Sequence, residues 1–505
     1  MVWRSAFQAH WRTCSLGVRA RNRRLRSRKR VFEGNVVNAL LVYNIAVRSG
    51  RFDAFRNWVA NHLPNDRRVV LVVIGFCFGA LLEGVAGFGT PVAITSSLLI
   101  LVGFPPLEAV VFVLIFNTAP VAFGALGTPI LTLAKVTGLG ELRLSAMAGR
   151  QLPFFSLLVP VWLVWVMAGW RGVVGVWPAL AVCGGSFALV QFLVANYHGP
   201  WLVDVAGGLV SLVCLALFLR VWQPRQTWHF PDEPPVPPPE GPAPTRARVV
   251  SAWVPWALLT AFVFAWGLPA VKAVLNRPSR KAEVPGLHLQ VARTAPVVEG
   301  RKPEEAVFDF NWLSATGTGI FLAALASALW LRIAPARFLR VFAVTCYRLR
   351  WPLFTIACML AIAFTTRYSG LDATLGIAFT RTGAVYPLFA ALLGWLGVAL
   401  TGSDTSSNAL FGGLQTITAR RLAADGVLPL TADRAAVLLA TTNSTGGVMG
   451  KMIDAQSIVV SAAATQQPGQ EGPILRFVFW HSIVLAVLMG LLVLVQAYAW
   501  PGVIP

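Results

Sequence analysis

The apolar positions of this chain come in long runs. A helix needs about 20 mostly apolar residues to cross a bilayer. Runs of that kind are Leu152–Trp170, Val173–Ala195, Trp201–Val221, Ser251–Leu268, Leu313–Ile333, Trp351–Thr366, Ala384–Leu400 and Leu475–Tyr498. Shorter or interrupted ones are Val36–Val47, Val69–Leu82, Gly84–Val102 and Ala109–Leu126. Asp433–Ala464 is also apolar, but Asn443, Gly446, Gly447 and Gly450 predict that it is broken. The pattern predicts an all-α, polytopic membrane bundle of roughly a dozen segments. Tryptophans gather near the predicted ends, as at Trp170, Trp201, Trp222, Trp253, Trp312 and Trp351, where an interfacial belt would lie.

Two polar stretches interrupt the bundle. Pro231–Pro244 reads PDEPPVPPPEGPAP and predicts an extended polyproline linker. Lys272–Asp309 mixes charge, proline and glycine and predicts an aqueous loop. The expected organisation is an Arg-rich segment at 1–34, a first half at 35–221, a linker at 222–250 and a second half at 251–505 that includes the loop 272–309.

Composition supports the membrane reading. Of 505 residues, 56% are hydrophobic and 12% charged, and the mean hydropathy is +0.65. Soluble domains are about 25% charged, so a soluble enzyme and a disordered chain are both excluded. The net charge of +21 raises nucleic acid as a partner until its location is read. Ten of the positive charges fall in residues 1–30, which hold no acid, so the rest of the chain carries +11 in short loops. Arg332, Arg337, Arg340, Arg348 and Arg350 crowd one such loop without an acid. The positive-inside rule produces this pattern, and no cationic face alternates with aromatics for base stacking. Five of the six cysteines (Cys77, Cys183, Cys214, Cys346 and Cys358) lie in or beside apolar runs without CxxC spacing, as small packing residues do. The N-terminus lacks the short apolar core and cleavage site of a secretory signal.

A repeat links the two halves. Gly79-Ala-Leu-Leu-Glu-Gly84 matches Gly397-Val-Ala-Leu-Thr-Gly402 at both glycines and the second leucine position. Asn117-Thr118 precedes Gly124 as Asn443-Ser444 precedes Gly450, in the same order. Gly, Pro, Asn, Ser and Thr inside an apolar span free backbone groups that protein, water or ligand must satisfy. Carriers use paired discontinuous segments, one per half, to build a mid-membrane site. A half-helix N-terminus there offers N–H donors and partial positive charge to a carboxylate. The alternative is close helix packing through small residues, which needs no ligand. Arg51, Arg56, Arg67 and Arg68 precede the first motif helix. The Arg332–Arg350 loop lies one span, Trp351–Thr366, before the second, so the two halves are expected to be inverted.

Acids inside these spans draw attention, since each costs about 2.5–3.5 kcal/mol at the bilayer centre. Glu83 and Asp404 are such acids. Paired catalytic acids of an intramembrane hydrolase are an alternative role, but the surroundings are Asn, Ser, Thr and Gly. Lys451 is one of six lysines in an arginine-rich chain and sits among glycines. It either meets an anion or pairs with Asp454. His198 and Asp204 lie in one turn, where imidazole could relay a proton or simply cap the turn. No HExxH, GxSxG or GxxxxGK[ST] motif occurs, and no cofactor or metal is expected.

The segments EGVAGFGTPVAI (Glu83–Ile94), NTAPVAFGALGTPI (Asn117–Ile130), GSDTSSNALFGGLQ (Gly402–Gln415) and GGVMGKMIDAQSI (Gly446–Ile458) resemble the signatures of the bacterial L-lactate permease family. QFLVANYHGPWLVD (Gln191–Asp204) and FDFNWLSATGTGIF (Phe308–Phe321) fit as well, so the resemblance runs from about residue 35 to the C-terminus. It implies a multi-pass carrier of the bacterial inner membrane that takes up L-lactate, and often D-lactate and glycolate, with protons. The implied partners are a small 2-hydroxy-monocarboxylate, protons and the lipid bilayer, with no nucleic acid. The substrate carboxylate is then expected on Asn117, Thr118, Asn443, Ser444, Gly446, Gly447 and Lys451. Its hydroxyl is expected on Ser403, Thr405, Ser406 and Asn408. Glu83, Asp404, His198 and Asp204 are the proton-coupling candidates. Family members usually open with two or three apolar spans before the stretch matching Val36–Arg51. Here the Arg-rich residues 1–34 stand in that place, an atypical and shortened start.

Overall fold

The computed structural model describes residues 37–505 apart from 39–40, 43, 47, 51–64, 86–88, 232–244, 295–300, 349, 351–353, 355–364, 366–367, 372–373 and 375–380. The Arg-rich segment 1–34, most of the proline-rich linker and most of the expected span Trp351–Thr366 lie outside the described residues.

The first described part runs through α1 (Arg67–Leu71), a π-helical segment (Val72–Phe78) and α2 (Gly79–Val85). After 86–88, α3 (Thr90–Leu101), α4 (Pro106–Phe116), α5 (Gly124–Thr137), α6 (Glu141–Ala148), α7 (Leu152–Tyr197) and α8 (Val203–Val221) follow. Next come α9 (Arg246–Gly267) and α10 (Pro269–Leu275). Two small antiparallel pairs then fill the predicted aqueous loop: β1 (Arg280–Glu283) with β4 (Val307–Phe310), and β2 (Ala292–Arg293) with β3 (Lys302–Pro303). The remainder comprises α11 (Thr316–Trp330), α12 (Pro335–Arg348), α13 (Tyr386–Thr401), α14 (Asp404–Ala424), α15 (Ala432–Gly450), α16 (Ala455–Ala464) and α17 (Glu471–Tyr498).

The two expected spans Leu152–Trp170 and Val173–Ala195 are the arms of a helical hairpin within α7. Gly169 has φ +67°, a backbone conformation that only glycine takes at little cost, and breaks the helix there. The arms then run back along each other. Arg150 Nε donates to Asn196 Oδ1 at 2.8 Å, and Ser156 Oγ donates to Gln191 Oε1 at 2.7 Å. A buried ion pair seals the turn. Arg68 is held by Asp66 and also donates to Gly172 O (3.0 Å) and Gln226 O (2.8 Å). Arg51 and Arg56 of the same loop fall outside the described residues.

Among the described residues, four helical stretches are long and apolar enough to cross a membrane: Glu141–Tyr197, Val203–Val221, Gly383–Thr401 and Glu471–Tyr498. The pair Pro106–Phe116 and Val121–Thr137, bent by 65°, makes a fifth if it is one span. Three further apolar helical stretches among the described residues are shorter: Pro91–Leu101, Gly317–Trp330 and Ala455–Ala464.

Helix α15 is the axis of the second half, buried from Ala435 to Gly450 and packed on α13, α14 and α17. Small residues bring α13 and α15 backbone to backbone. A methyl group on Gly394 would run into Asn443 O, one on Gly446 into Ala391 O, and one on Gly450 into Trp395 O. Close approach through glycine is a recognised way to pack helices in lipid. Gly446 and Gly447 therefore do not break the helix, as the sequence had suggested. The break comes at Lys451–Ile453, a 3-10 turn between α15 and α16.

One buried polar knot ties the halves together. Gln151, at the start of α7, donates to Gln496 Oε1 on α17 (3.0 Å) and accepts from Thr445 Oγ1 on α15 (2.7 Å). Gln496 in turn donates to Arg150 O (3.2 Å).

Candidate functional site

The site forms where three helix breaks meet α2. Glu83 lies two residues before the end of α2, 3% exposed, and its Oε2 has no hydrogen-bond partner. Glycines bring α2 close to α8. A Cβ on Gly84 would lie 2.7 Å from Asp204 Cβ, and one on Gly208 would lie 2.6 Å from the Leu81 nitrogen. Asp204 is thereby pressed behind Glu83, buried and without a hydrogen-bond partner on either oxygen. His198 is exposed, its ring edge-on to Trp201 at 6.2 Å, and no hydrogen bond joins it to Asp204. The expected His198–Asp204 relay is thus replaced by a neighbourhood of Asp204 with Glu83: the turn at Gly199 and Pro200 carries the imidazole outward while α8 carries the carboxyl inward.

The first break follows α4. The helix ends at Phe116, and Thr118 turns its hydroxyl back onto Ile115 O (2.7 Å). The Asn117 carboxamide lies beside the Glu83 carboxyl, with Nδ2 buried and unpartnered. After a 3-10 turn, Ala125, Leu126 and Gly127 take φ of +46°, +57° and +73°. This left-handed turn costs about 1–2 kcal/mol per non-glycine residue. Such strain is commonly held at functional sites. Gly124 lets the turn touch Glu83; a Cβ there would lie 2.8 Å from Oε1.

The second break separates α13 from α14. Gly402, at φ +72°, ends α13. Ser403 then caps α14, its Oγ accepting from the Ser406 amide at 3.3 Å. Asp404 opens the helix. Its Oδ2 accepts a short hydrogen bond from Ser444 Oγ, while its Oδ1 has none and rests on Gly447, where a Cβ would collide with it. Asn408 bridges the halves, donating to Pro129 O (3.2 Å) and accepting from Asn443 Nδ2 (2.9 Å). Asn443 itself sits in the α14–α15 contact, also donating to Ser407 Oγ (3.3 Å).

The third break holds the cation. Lys451 Nζ donates to Gly402 O (2.9 Å) and pairs with Asp454 Oδ2 (2.8 Å). Asp454 is the N-cap of α16, its Oδ1 accepting from the Ser457 amide at 2.8 Å. An ammonium has three donors, and one is committed to the Gly402 carbonyl.

These breaks surround a small, partly open pocket of about 30 Å³ lined by Glu83, Val121, Gly124, Ala125, Pro129, Gly402, Ser403, Asp404, Thr405 and Lys451. Five expected residues reach its wall: Glu83, Ser403, Asp404, Thr405 and Lys451. Asn117, Thr118, Ser406, Asn408, Asn443, Ser444, Gly446 and Gly447 do not line it; Asn117, Asn408 and Ser444 bear on wall residues from behind. Sequence reasoning missed Val121, Gly124, Ala125, Pro129 and Gly402 as wall residues. The glycine spacing of NTAPVAFGALGTP was the available signal, and it marked the break rather than the wall. The cavity offers one ammonium, two carboxyls, two hydroxyls and the first-turn N–H groups of α14, which have no intrahelical acceptor. Among the described residues no group of three or more His, Cys, Asp or Glu could hold a metal ion. The chemistry on offer is recognition of a small anion beside a group that can carry a proton.

The family model described as L-lactate permease matches residues 34–500. The glycolate permease GlcA of Escherichia coli K12 is 45% identical over 486 residues, 93% of this chain and 85% of its own. The L-lactate permease of Salmonella typhimurium LT2 is 44% identical over 484 residues, with the same coverage of both chains. The L-lactate permease of Bacillus subtilis 168 is 40% identical over 491 residues, again covering 93% and 85%.

Proposed function

The chain belongs to the L-lactate permease family, and on that premise we propose that it is a multi-pass secondary carrier of L-lactate, with D-lactate and glycolate as further substrates, in symport with protons across the bacterial inner membrane. The observation that carries this reading is the cavity itself. Both halves contribute to it, and each brings an interrupted helix and a buried carboxyl.

The substrate carboxylate docks between the Lys451 ammonium and the first turn of α14. A remaining Lys451 donor and the Asp404 and Thr405 amides face it with positive charge. Its 2-hydroxyl meets the Ser403 and Thr405 hydroxyls, the two on the cavity wall. Ser406, Asn408, Asn443 and Ser444 fix the shape of this wall from behind. Glu83 is the coupling group. An anion entering beside an ionised Glu83 is repelled, and a proton on that carboxyl removes the repulsion, so anion and proton load together. Asp404 sets the opposite side of the wall through its bond from Ser444, and Asp204 sits behind Glu83 as a second acid.

The paired motifs support two repeated halves. Gly402 ends α13, and its counterpart Gly84 falls one residue before the end of α2. Gly124 and Gly450 both stand at helix breaks.

Uptake of labelled L-lactate into proteoliposomes, with and without an imposed pH gradient, tests the reading. Accumulation against the lactate gradient is expected only with the pH gradient, and glycolate, not succinate, is expected to compete. Equal accumulation without a pH gradient would remove proton symport. Competition by succinate alone would move the substrate to another anion class.

A further inference from the structure

The arginine-rich stretch that the sequence suggested was a loop is a helix. Between Leu331 and Arg350 the chain carries five arginines and no acid, and most of this stretch forms α12, of 14 residues. Its Phe338, Val341 and Thr345 are buried. The Phe338 and Phe342 rings each lie edge-on to Phe321 of α11 (6.2 and 6.1 Å). Asn44 Nδ2 donates to Thr345 Oγ1 at 3.0 Å. Arg337 Nη2 donates to Arg48 O at 2.8 Å.

At 3.6 residues per turn the other positions fall on two further edges. Leu339 is 63% exposed and lies on an apolar edge beside Phe342, which is half-buried against α11. Arg337, Arg340 and Arg348 lie on the opposite edge, all exposed. Tyr347 is exposed as well, with the Arg350 guanidinium 4.0 Å from its ring centroid. The helix leaves the end of α11 that is remote from the β-strand loop. One edge against protein, one apolar edge open and one cationic edge beside it is the arrangement of a helix lying in a membrane interface.

We propose that α12 lies in the plane of the bilayer surface and binds the headgroups of anionic phospholipids through Arg337, Arg340 and Arg348. The exposed Leu339 at the apolar edge sits on the acyl chains. The cationic edge then meets the phosphates, where three guanidiniums on a helix that carries no acid attract anionic over zwitterionic lipid. The acid-free run of charge favours a lipid headgroup, since nothing on the helix would select a particular acidic protein.

The test measures lipid retention, not transport. The full chain is purified in mild detergent, mixed with equal amounts of phosphatidylglycerol and phosphatidylcholine of identical acyl chains, and weighed by native mass spectrometry. Phosphatidylglycerol is expected to be retained at least about tenfold over phosphatidylcholine. The triple substitution Arg337→Gln, Arg340→Gln and Arg348→Gln is expected to bring the ratio near one. The triple substitution to lysine, which keeps the charge, is expected to preserve it within about threefold. Arg340→Gln alone, on the exposed edge, is expected to lower the ratio about fivefold and serves if the triple glutamine protein does not fold. Equal retention of both lipids by the unsubstituted protein overturns the proposal, as does a preference that survives the glutamine substitutions. Loss of preference in the lysine protein overturns it as well.

Discussion

Replacing Lys451 separates the two tasks assigned to it. In Lys451→Met the ammonium is gone, and Asp454 is left fully buried with no counter-charge. Removing one partner of a buried ion pair costs about 3–5 kcal/mol. The lost bond to Gly402 O adds an unsatisfied carbonyl at the break. Loss of stability alone would therefore abolish uptake without saying anything about substrate. The double substitution Lys451→Met with Asp454→Asn resolves this. Asn caps a helix as well as Asp does, so the Ser457 amide keeps an acceptor, and neither member of the pair leaves a charge behind. The double variant is expected to recover most of the thermal stability in detergent that the single variant loses. Its apparent affinity for lactate is nevertheless expected to fall about 10–200-fold. That is the effect of losing a charged hydrogen bond worth about 1.5–3 kcal/mol. The assay is a pair of measurements on each protein: the thermal unfolding midpoint, and initial uptake against lactate concentration in proteoliposomes. A double variant with full stability and unchanged lactate affinity would refute the assignment of Lys451 to the carboxylate.

Three further outcomes follow from the same geometry. Glu83→Gln is expected to keep lactate exchange across the membrane while losing accumulation driven by a pH gradient; retained gradient-driven accumulation in this variant would exclude Glu83 as the coupling group. Gly124→Ala places a methyl 2.8 Å from Glu83 Oε1 beside a strained turn, and at least a tenfold drop in initial uptake is expected with little change in unfolding midpoint; Gly185→Ala, in a helix where the added methyl meets nothing within 4 Å, is the control, expected to leave uptake near normal. Gly446→Ala drives a methyl into the Ala391 carbonyl, and such overpacking costs about 1–3 kcal/mol, read as a lower unfolding midpoint; an unchanged midpoint would show that α13 and α15 can separate freely.

Much of the bundle could be read from apolar run length, since a helix in lipid must satisfy its own backbone over the whole hydrocarbon thickness. The runs expected at 152–170 and 173–195 became the two arms of α7, and those at 384–400 and 475–498 became α13 and α17. Local chemistry decided what run length could not. Asn443, Gly446 and Gly447 look the same in sequence whether a glycine frees a backbone or brings two backbones together. Only the neighbouring helix shows that α15 runs unbroken and that its end waits for the Lys451–Asp454 pair. His198 and Asp204 are six residues apart in one motif, yet a single turn sends them in opposite directions. The arginines of 332–350 were read as loop charge because their number outweighed the 3.6-residue recurrence of Phe338, Val341, Phe342 and Thr345 beneath them. The cavity wall was half visible. Polar residues announced themselves, whereas Val121, Ala125 and Pro129 contribute only position.

The knot between Gln151 and Gln496 also bears on how the protein is made. Gln151 leaves the ribosome 345 residues ahead of the carboxamide that satisfies it. At ordinary synthesis rates that interval is roughly 17–70 s. For most of it, the first half sits in lipid with an amide whose partners, Thr445 and Gln496, do not yet exist. A half-made chain is thus polar at a place where the finished one is sealed. The first half carries a built-in signal of incompleteness, which only the last helix cancels.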